Sequence, residues 1–480
     1  MKFLFPRVSI RMSQQHMRWL VATSAVAIAA LAGSFFSGWA MAQTPTPISP
    51  PSALSPLSLT EALRVAEVRS RTLDAQDAAA HAAREMAVAA GQRPDPTLKL
   101  GINNLPVDTA DRFSLTRDFM TMRSVGIAQE ITRSDKLKAR TARFDREAEA
   151  AEASRAMALA NLQRDTAIAW LDRYYQERMR EVLKAQRNEA TLQIEAADAA
   201  YRGGRGSQAD VFAARSAVAL IDNRIQQIEQ QIATAKIRLA RWIGTDAERT
   251  LAAAPNLAKI GIDANGFEAH PTSHPEIELM LKQEAVADAE ADIAQSNKRS
   301  DWGAELMYSQ RGPAFSNMVS LNFSIPLQLD QKDRQDREVA AKLAVAQKMR
   351  AQREEATREH LADLRSWLQQ WHGNRDRLAQ YDSAIIPLAA ERTRAAIAAY
   401  RGGGGGSSSG GSGGEPLSAV LEARRMEIDT RLDRLRLEME TAVLWSQLEY
   451  LVPIQPDRPA TTLTPTPMPT PTPIPAAEEK

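Results

Sequence analysis

Cysteine is absent from the 480 residues, which excludes disulfides, a thiolate metal site and a lipidated cysteine. Aromatic residues make up only 5% of the chain and the formal net charge is +1, so there is no general field to gather anions. The basic residues are interleaved with acids at helical spacing, which solvates helix faces and argues against nucleic acid as a partner. Past the first forty residues, no apolar run approaches the roughly twenty that a membrane-spanning helix needs. Any spanning segment must therefore be β.

What is present begins with a secretory pattern. Lys2, Arg7, Arg11 and Arg18 precede an apolar, Ala-rich stretch from Trp19 to Ala40, and Ala40-Met41-Ala42 offers a small-x-small cleavage site. Residues 1–42 read as a signal peptide, with an uncleaved signal anchor as the alternative, and 43–57 as a Pro-rich lead. At the other end, 453–480 is a Pro/Thr-rich tail whose composition cannot bury a core.

Between these ends the chain repeats itself at an offset of about 200 residues, in the order helix, strand, strand, long helix, turn, helix. The first repeat spans 58–260 and the second 261–452. Ser58 and Glu61 form a capping-box pattern ahead of a helix expected to run to about Arg93, where Pro94-Asp95-Pro96 stops it. The second repeat opens at His274-Pro275-Glu276. Strands are expected over about 97–105, 123–132, 301–309 and 318–327, each alternating apolar with small or polar residues, as in Val319, Leu321 and Phe323 against Ser320, Asn322 and Ser324. Such alternation over about ten residues fits a tilted strand with lipid on one side and water on the other. A half-buried soluble sheet is the alternative. Four strands cannot close a barrel, and an open edge in lipid costs several kcal/mol per unsatisfied backbone group, so several copies must share one barrel; three would supply twelve strands.

Each strand pair is followed by a helical stretch of about seventy residues, 134–200 and 330–399, long enough to reach on the order of 100 Å. Leu171, Tyr174, Tyr175, Met179 and Val182 form one apolar stripe on the first rod. Pro387 is expected to kink the second near Ile386. The first returning helix carries a three-four alternation at Val211, Ala214, Val218, Ile221, Ile225, Ile228, Ile232, Ala235, Leu239 and Trp242, a coiled-coil seam. The second matches it less regularly through Leu421, Ile428, Leu432, Leu435, Met439 and Ala442.

The two hairpin tips, about 201–210 and 400–419, carry Tyr201-Arg202-Gly203-Gly204 and Tyr400-Arg401-Gly402-Gly403, where glycine permits the left-handed backbone that reverses the chain. A Gly/Ser insert, Gly404 to Gly413, lengthens the second tip by ten residues with the composition of a flexible linker. A Tyr-x-x-Gly turn occurring twice, with Asp210-Val211 after the first and a strand pair after each opening helix, resembles the TolC-like outer-membrane efflux family over nearly the whole chain past residue 42. The stretch from Tyr308 to Ser320, with Ser324-Ile325-Pro326-Leu327, is similar to the heavy-metal branch of that family. The resemblance implies a mainly α fold with a β-barrel part: a homotrimer whose twelve-stranded outer-membrane barrel continues into a periplasmic α-helical barrel. It implies a passive, non-enzymatic duct without cofactors, working with a periplasmic adaptor and an inner-membrane pump. It further implies adaptor docking at Arg202, Gly203, Gly204, Arg401, Gly402 and Gly403, and a periplasmic gate near Asp210 and Glu422. Read on their own, Asp210 and Glu422 are equally helix-start carboxylates stabilised by the helix dipole, and the arginines are surface charges.

Two rival classes remain. An enzyme or metal site would have to use Glu268, His270, His274 and Glu276, but Pro271 and Pro275 keep one helix from presenting both histidines. Met120 and Met122 could hold a soft cation, although loop packing explains them. A periplasmic adaptor would show one helical hairpin flanked by β-rich domains, and a coiled-coil scaffold would lack the alternating strands. Cargo divides the duct reading itself, between heavy-metal cations and organic compounds.

Overall fold

A computed structural model describes residues 55–204, 206–261, 273–402 and 417–454. The expected signal, most of the Pro-rich lead, Glu268, His270, Gly403, the Gly/Ser insert and the tail from 455 onward lie outside the described residues.

Helix α1 (Leu59–Arg69) starts at Ser58, whose hydroxyl accepts the Glu61 N–H at 3.2 Å. The Glu61 carboxylate is occupied elsewhere, by Arg249 at 2.9 Å. The single opening helix expected from the sequence is broken at Ser70, which ends α1 in an extended conformation and caps α2 (Arg71–Ala90) by accepting the Leu73 N–H. Serine offers the backbone this alternative to helix hydrogen bonds, and here it is taken.

Strands β1 (Thr97–Asn103) and β2 (Met122–Ile131) lead into α3 (Ser134–Arg202), an unbroken helix of 69 residues. A tight turn returns the chain along α4 (Gln208–Ile243). In the second repeat, α5 (Pro275–Ser296) takes Pro275 at its first position, where the missing N–H costs nothing. Strands β3 (Trp302–Gln310) and β4 (Met318–Ser324) follow. The long second rod is divided: α6 (Gln335–Gln380), a π-helical turn at Tyr381–Ile385, then α7 (Ile386–Gly402). Pro387 has no N–H to donate, and its ring would press on the carbonyl four residues earlier. The helix widens in the turn before the proline, so the irregularity falls at 381–385 and not at Ile386 itself. Helix α8 (Leu417–Glu449) completes the fold.

Helix α3 is the axis of the packing, touching α1, α2, α4, α5 and α8. Trp170, Leu171, Tyr175 and Leu183 are fully buried on it, together with Leu239 and Ile243 of α4 and Leu448 of α8. The seam of α4 is buried from Val211 to Leu239, with Ile228 and Trp242 half-buried. Helix α8 buries Ile428, Leu432, Leu435 and Ala442 of its expected seam, with Leu421 and Met439 half-buried. It also buries Glu427, Leu437 and Thr441, because it packs on α3, α6 and α7 at once. Buried Arg173 binds the carbonyls of Ala247 and Arg249 at 2.6 and 2.8 Å, and Glu177 at 2.8 Å. That side chain ties α3 to the segment after α4.

Candidate functional site

The four described strands form one antiparallel sheet in the order β1-β2-β3-β4. The joint between the two repeats is the β2–β3 pair, in which Val125 faces Tyr308 and Ile127 faces Leu306. Register then places Leu98, Leu100, Val125, Ile127, Ile131, Trp302, Leu306, Tyr308, Val319, Leu321 and Phe323 on one side of the sheet, with Arg123, Gln310 and Gln129 toward its two ends. Thr97, Lys99, Ser124, Glu130, Glu305, Ser320, Asn322 and Ser324 occupy the other.

The apolar side is uncovered: Leu100 is 73% exposed, Val319 70% and Leu321 60%. Isolated exposed leucines are ordinary, but a continuous apolar face across four strands marks contact with lipid or with another chain. On the opposite side, Lys99 reaches Glu305 at 2.5 Å across β2. The small residues Gly126 and Ala128 lie beneath that bridge by register. A Cβ on Gly126 would come within 2.8 Å of the Leu306 carbonyl, so glycine permits the close approach of β2 and β3. Strands β1 and β4 have no further strand beside them among the described residues. At the helical end of the sheet, Asp301 accepts the Arg133 N–H at 3.0 Å and pairs with Lys136 at 2.7 Å, locking the start of α3 to the start of β3.

The first tip is tightly built. The N–H groups of Gly203, Gly204 and Gly206 bond the carbonyls of Ala199, Tyr201 and Ala200, and Gly204 has φ +71° with open space around it. Ser207 and Asp210 form a reciprocal capping box, Asp210 accepting from the Ser207 N–H at 2.9 Å and hydroxyl at 2.8 Å. Arg202 is 3.2 Å from Asp198, one turn back. At the second tip, Arg401 is exposed in the last turn of α7, and Gly402 ends that helix. Val211 and Ala214 of α4 meet Ala396 of α7 and Leu417, Val420 and Ala423 of α8, so the two tips share one small apolar cluster.

Above the tips, ion pairs cross between the helices, a set that sequence reading did not identify. Arg224 of α4 pairs with Asp429 of α8 at 2.7 Å, and Arg424 of α8 pairs with Glu189 of α3. Glu422 is exposed and lines a groove of about 730 Å³ between α3, α4 and α8, together with Gln186, Leu220 and Ile428. Asp210 and Glu422 therefore occupy different settings, one committed to a cap and the other open to the groove. Higher up, Arg434 pairs with Asp382 of the π turn at 2.8 Å and with Glu438. Its hydrogen bond to Asp382 raises the guanidinium above its ordinary value and keeps it charged. Apart from Arg434 and Glu438, four residues apart, these partners are separated by 52 to 235 residues and carry no spacing signal that would pair them.

His274 stands at the N-terminus of α5 beside Glu276, and no described helix is long and apolar enough to cross a membrane. No protein-family model matches the chain, and no curated protein matches it in sequence. Its fold, in contrast, is shared with solved structures. CusC, described for its transmembrane channel formation, superposes with a TM-score of 0.67 at 14% identity, over 82% of this chain and 92% of that one. The outer-membrane channel OprN gives 0.66 at 15% identity, covering 82% and 89%. The outer-membrane protein VceC of Vibrio cholerae gives 0.64 at 17% identity, covering 82% and 95%. A mostly helical body carrying one small sheet is thus the fold that this chain has in common with outer-membrane channel proteins.

Proposed function

We propose that this chain is one protomer of a passive export duct in the outer membrane of a Gram-negative bacterium. The observation that carries the reading is the sheet: an uncovered apolar face on one side, a polar face on the other, and two edges with no further strand among the described residues. In lipid those edges must be satisfied, and β1 of one copy beside β4 of the next does so. Three copies close a twelve-stranded barrel whose polar face lines the pore, and their helices continue it as a periplasmic tunnel. The shared fold with outer-membrane channels supports this arrangement.

At the far end, the tips with Arg202, Gly203, Gly204, Arg401, Gly402 and Gly403 dock on a periplasmic adaptor that couples the duct to an inner-membrane pump. The constriction lies at the level of Asp210 and Glu422, and opening requires α8 to leave α3 and α4, breaking Arg424–Glu189 and Arg224–Asp429. The cargo is heavy-metal cations, on the resemblance carried by residues 308–327.

Purified full-length protein in mild detergent should run as a trimer and conduct ions in a planar bilayer. A monomer that neither conducts nor stays with outer membranes through a salt wash ends the duct reading. A deletion strain tested against cobalt, zinc, cadmium, copper and silver beside dyes and antibiotics decides cargo: sensitivity to organic compounds alone moves the duct to drug export.

A further inference from the structure

A pair of histidines, one buried and one half-buried, sits far from the sheet and the tips. His274 is the N-cap of α5 and makes no side-chain capping bond there. His360 lies in the middle of α6. Nδ1 of His274 and Nε2 of His360 are 2.6 Å apart, with ring centroids at 4.1 Å and planes at 77°. His274 is 1% exposed and the His360 side chain 14%.

Two ring nitrogens this close need one proton between them, a donor on one ring and a lone pair on the other. Glu276 approaches Nδ1 of His360 at 3.8 Å, which favours the tautomer with that nitrogen protonated. Nε2 of His360 is then the acceptor and Nδ1 of His274 the donor. A metal ion does not fit in the proton's place: two nitrogens bound tetrahedrally at about 2.0–2.1 Å would stand roughly 3.3 Å apart.

Among the described residues, charged and ionisable groups face the pair from four segments. Glu276 comes from α5, Asp363 from α6, Arg164 from α3, and Tyr450 from the chain just past α8, around a cavity of about 220 Å³. Glu276 and Asp363 draw a proton toward His360, yet burial prevails and holds it below the usual histidine value. Burial, and then the charge of His360, push His274 down to about 4. Once both rings are protonated, an N–H confronts an N–H and two buried cations face each other, which the contact cannot survive.

We propose that His274 and His360 form an acid-released latch that holds the N-terminal end of α5 against α6. While the pair shares one proton, the opening helix of the second repeat is fastened to its long rod; double protonation parts the rings and frees that end. The sign follows from burial. Groups whose folded value lies below the ordinary 6.5 contribute stability that is complete above that value and is lost as pH falls toward about 4. The latch depends on the fold alone and stands whether or not the chain conducts.

Amide exchange on the full-length protein in mild detergent, corrected for the intrinsic pH dependence, tests this between pH 7.5 and 4.5. Protection at residues 278–282 and 356–364 should fall by roughly ten- to a hundredfold over that range, while α3 around Trp170 keeps its protection. In His360→Gln, whose amide accepts the same hydrogen bond but does not titrate, the fall should shrink to about threefold or less. His81→Gln, at an exposed histidine, should behave as the parent. Unchanged protection in the parent at pH 4.5, or an equal fall in His360→Gln, overturns the latch. If His360→Gln does not fold, exchange of the ring C2 protons in the parent decides instead: midpoints for His274 and His360 below that of His81 sustain the latch, and midpoints equal to it refute it.

Discussion

The two long rods occupy the same place in their repeats and are built differently. Helix α3 runs 69 residues without a break and buries side chains along most of its length, from Ala148 to Ala197. Helix α6 buries only Ala346, Leu364 and Trp371 and gives way to the π turn at Tyr381–Ile385. Packing explains the contrast. Helix α3 has neighbours of its own chain on several sides, whereas α6 touches α5 and α8 and leaves Leu343 and Val345 exposed. Two rods that each follow a strand pair thus differ, one serving as a core and one as a wall. The wall is where a proline is tolerated, because fewer side chains depend on the regularity of the helix there.

Replacing the large buried aromatics tests that contrast most severely. Trp170→Ala should lower stability by about 3–5 kcal/mol, because the side chain is fully buried and its indole N–H bonds the Leu57 carbonyl. Trp371→Ala should cost about 1–2 kcal/mol less, since the Trp371 N–H is buried without a hydrogen bond. Denaturation midpoints compare the two, and equal losses would erase the distinction between core and wall.

The sheet should show no such asymmetry, because its apolar face crosses both repeats. Leu100→Arg and Leu321→Arg should each cost about 2–4 kcal/mol on folding into lipid vesicles, against under about 1 kcal/mol for Ser124→Arg or Ser320→Arg on the polar face. A large effect at the serines would reverse the assignment of the faces. Further down, Ser207→Ala removes the hydroxyl half of the first tip's capping box and should cost about 1 kcal/mol, seen as faster amide exchange in the first turn of α4. The smallest effect belongs to Pro387→Ala. It restores a donor and should return Tyr381–Ile385 to α-helical geometry; because the π turn already accommodates the ring, the change should be about 0.4–1 kcal/mol, chiefly through a freer unfolded chain. Persistence of the π turn would shift its cause to the Arg434–Asp382 pair.

Most elements could be read before any fold was known. Strands expected at 97–105, 123–132, 301–309 and 318–327 occur at 97–103, 122–131, 302–310 and 318–324. The seam of α4 is buried at nearly every expected position. These are signals of period two or of the heptad, carried by adjacent residues. Ser70 gave no comparable warning, because a serine inside a helical pattern becomes a cap only when the neighbouring helices require a change of direction. His274 was visible from its place ahead of Pro275, but His360, the ring it hydrogen-bonds, is 86 residues away. The capping role of Asp210 was open to local reading, as Ser207 stands three residues before it.

Sequence by itself determined the order of helices and strands, the apolar and polar sides of each strand and the apolar stripes of the returning helices, because each depends on residues a few positions apart. Only the tertiary structure decided that β2 pairs with β3 to make one sheet of two repeats, that Arg224 and Arg424 fasten α8 to its neighbours, and that two distant imidazoles share a proton. Those outcomes depend on which surfaces the folded rods bring within hydrogen-bonding reach, and no spacing along the chain encodes that distance.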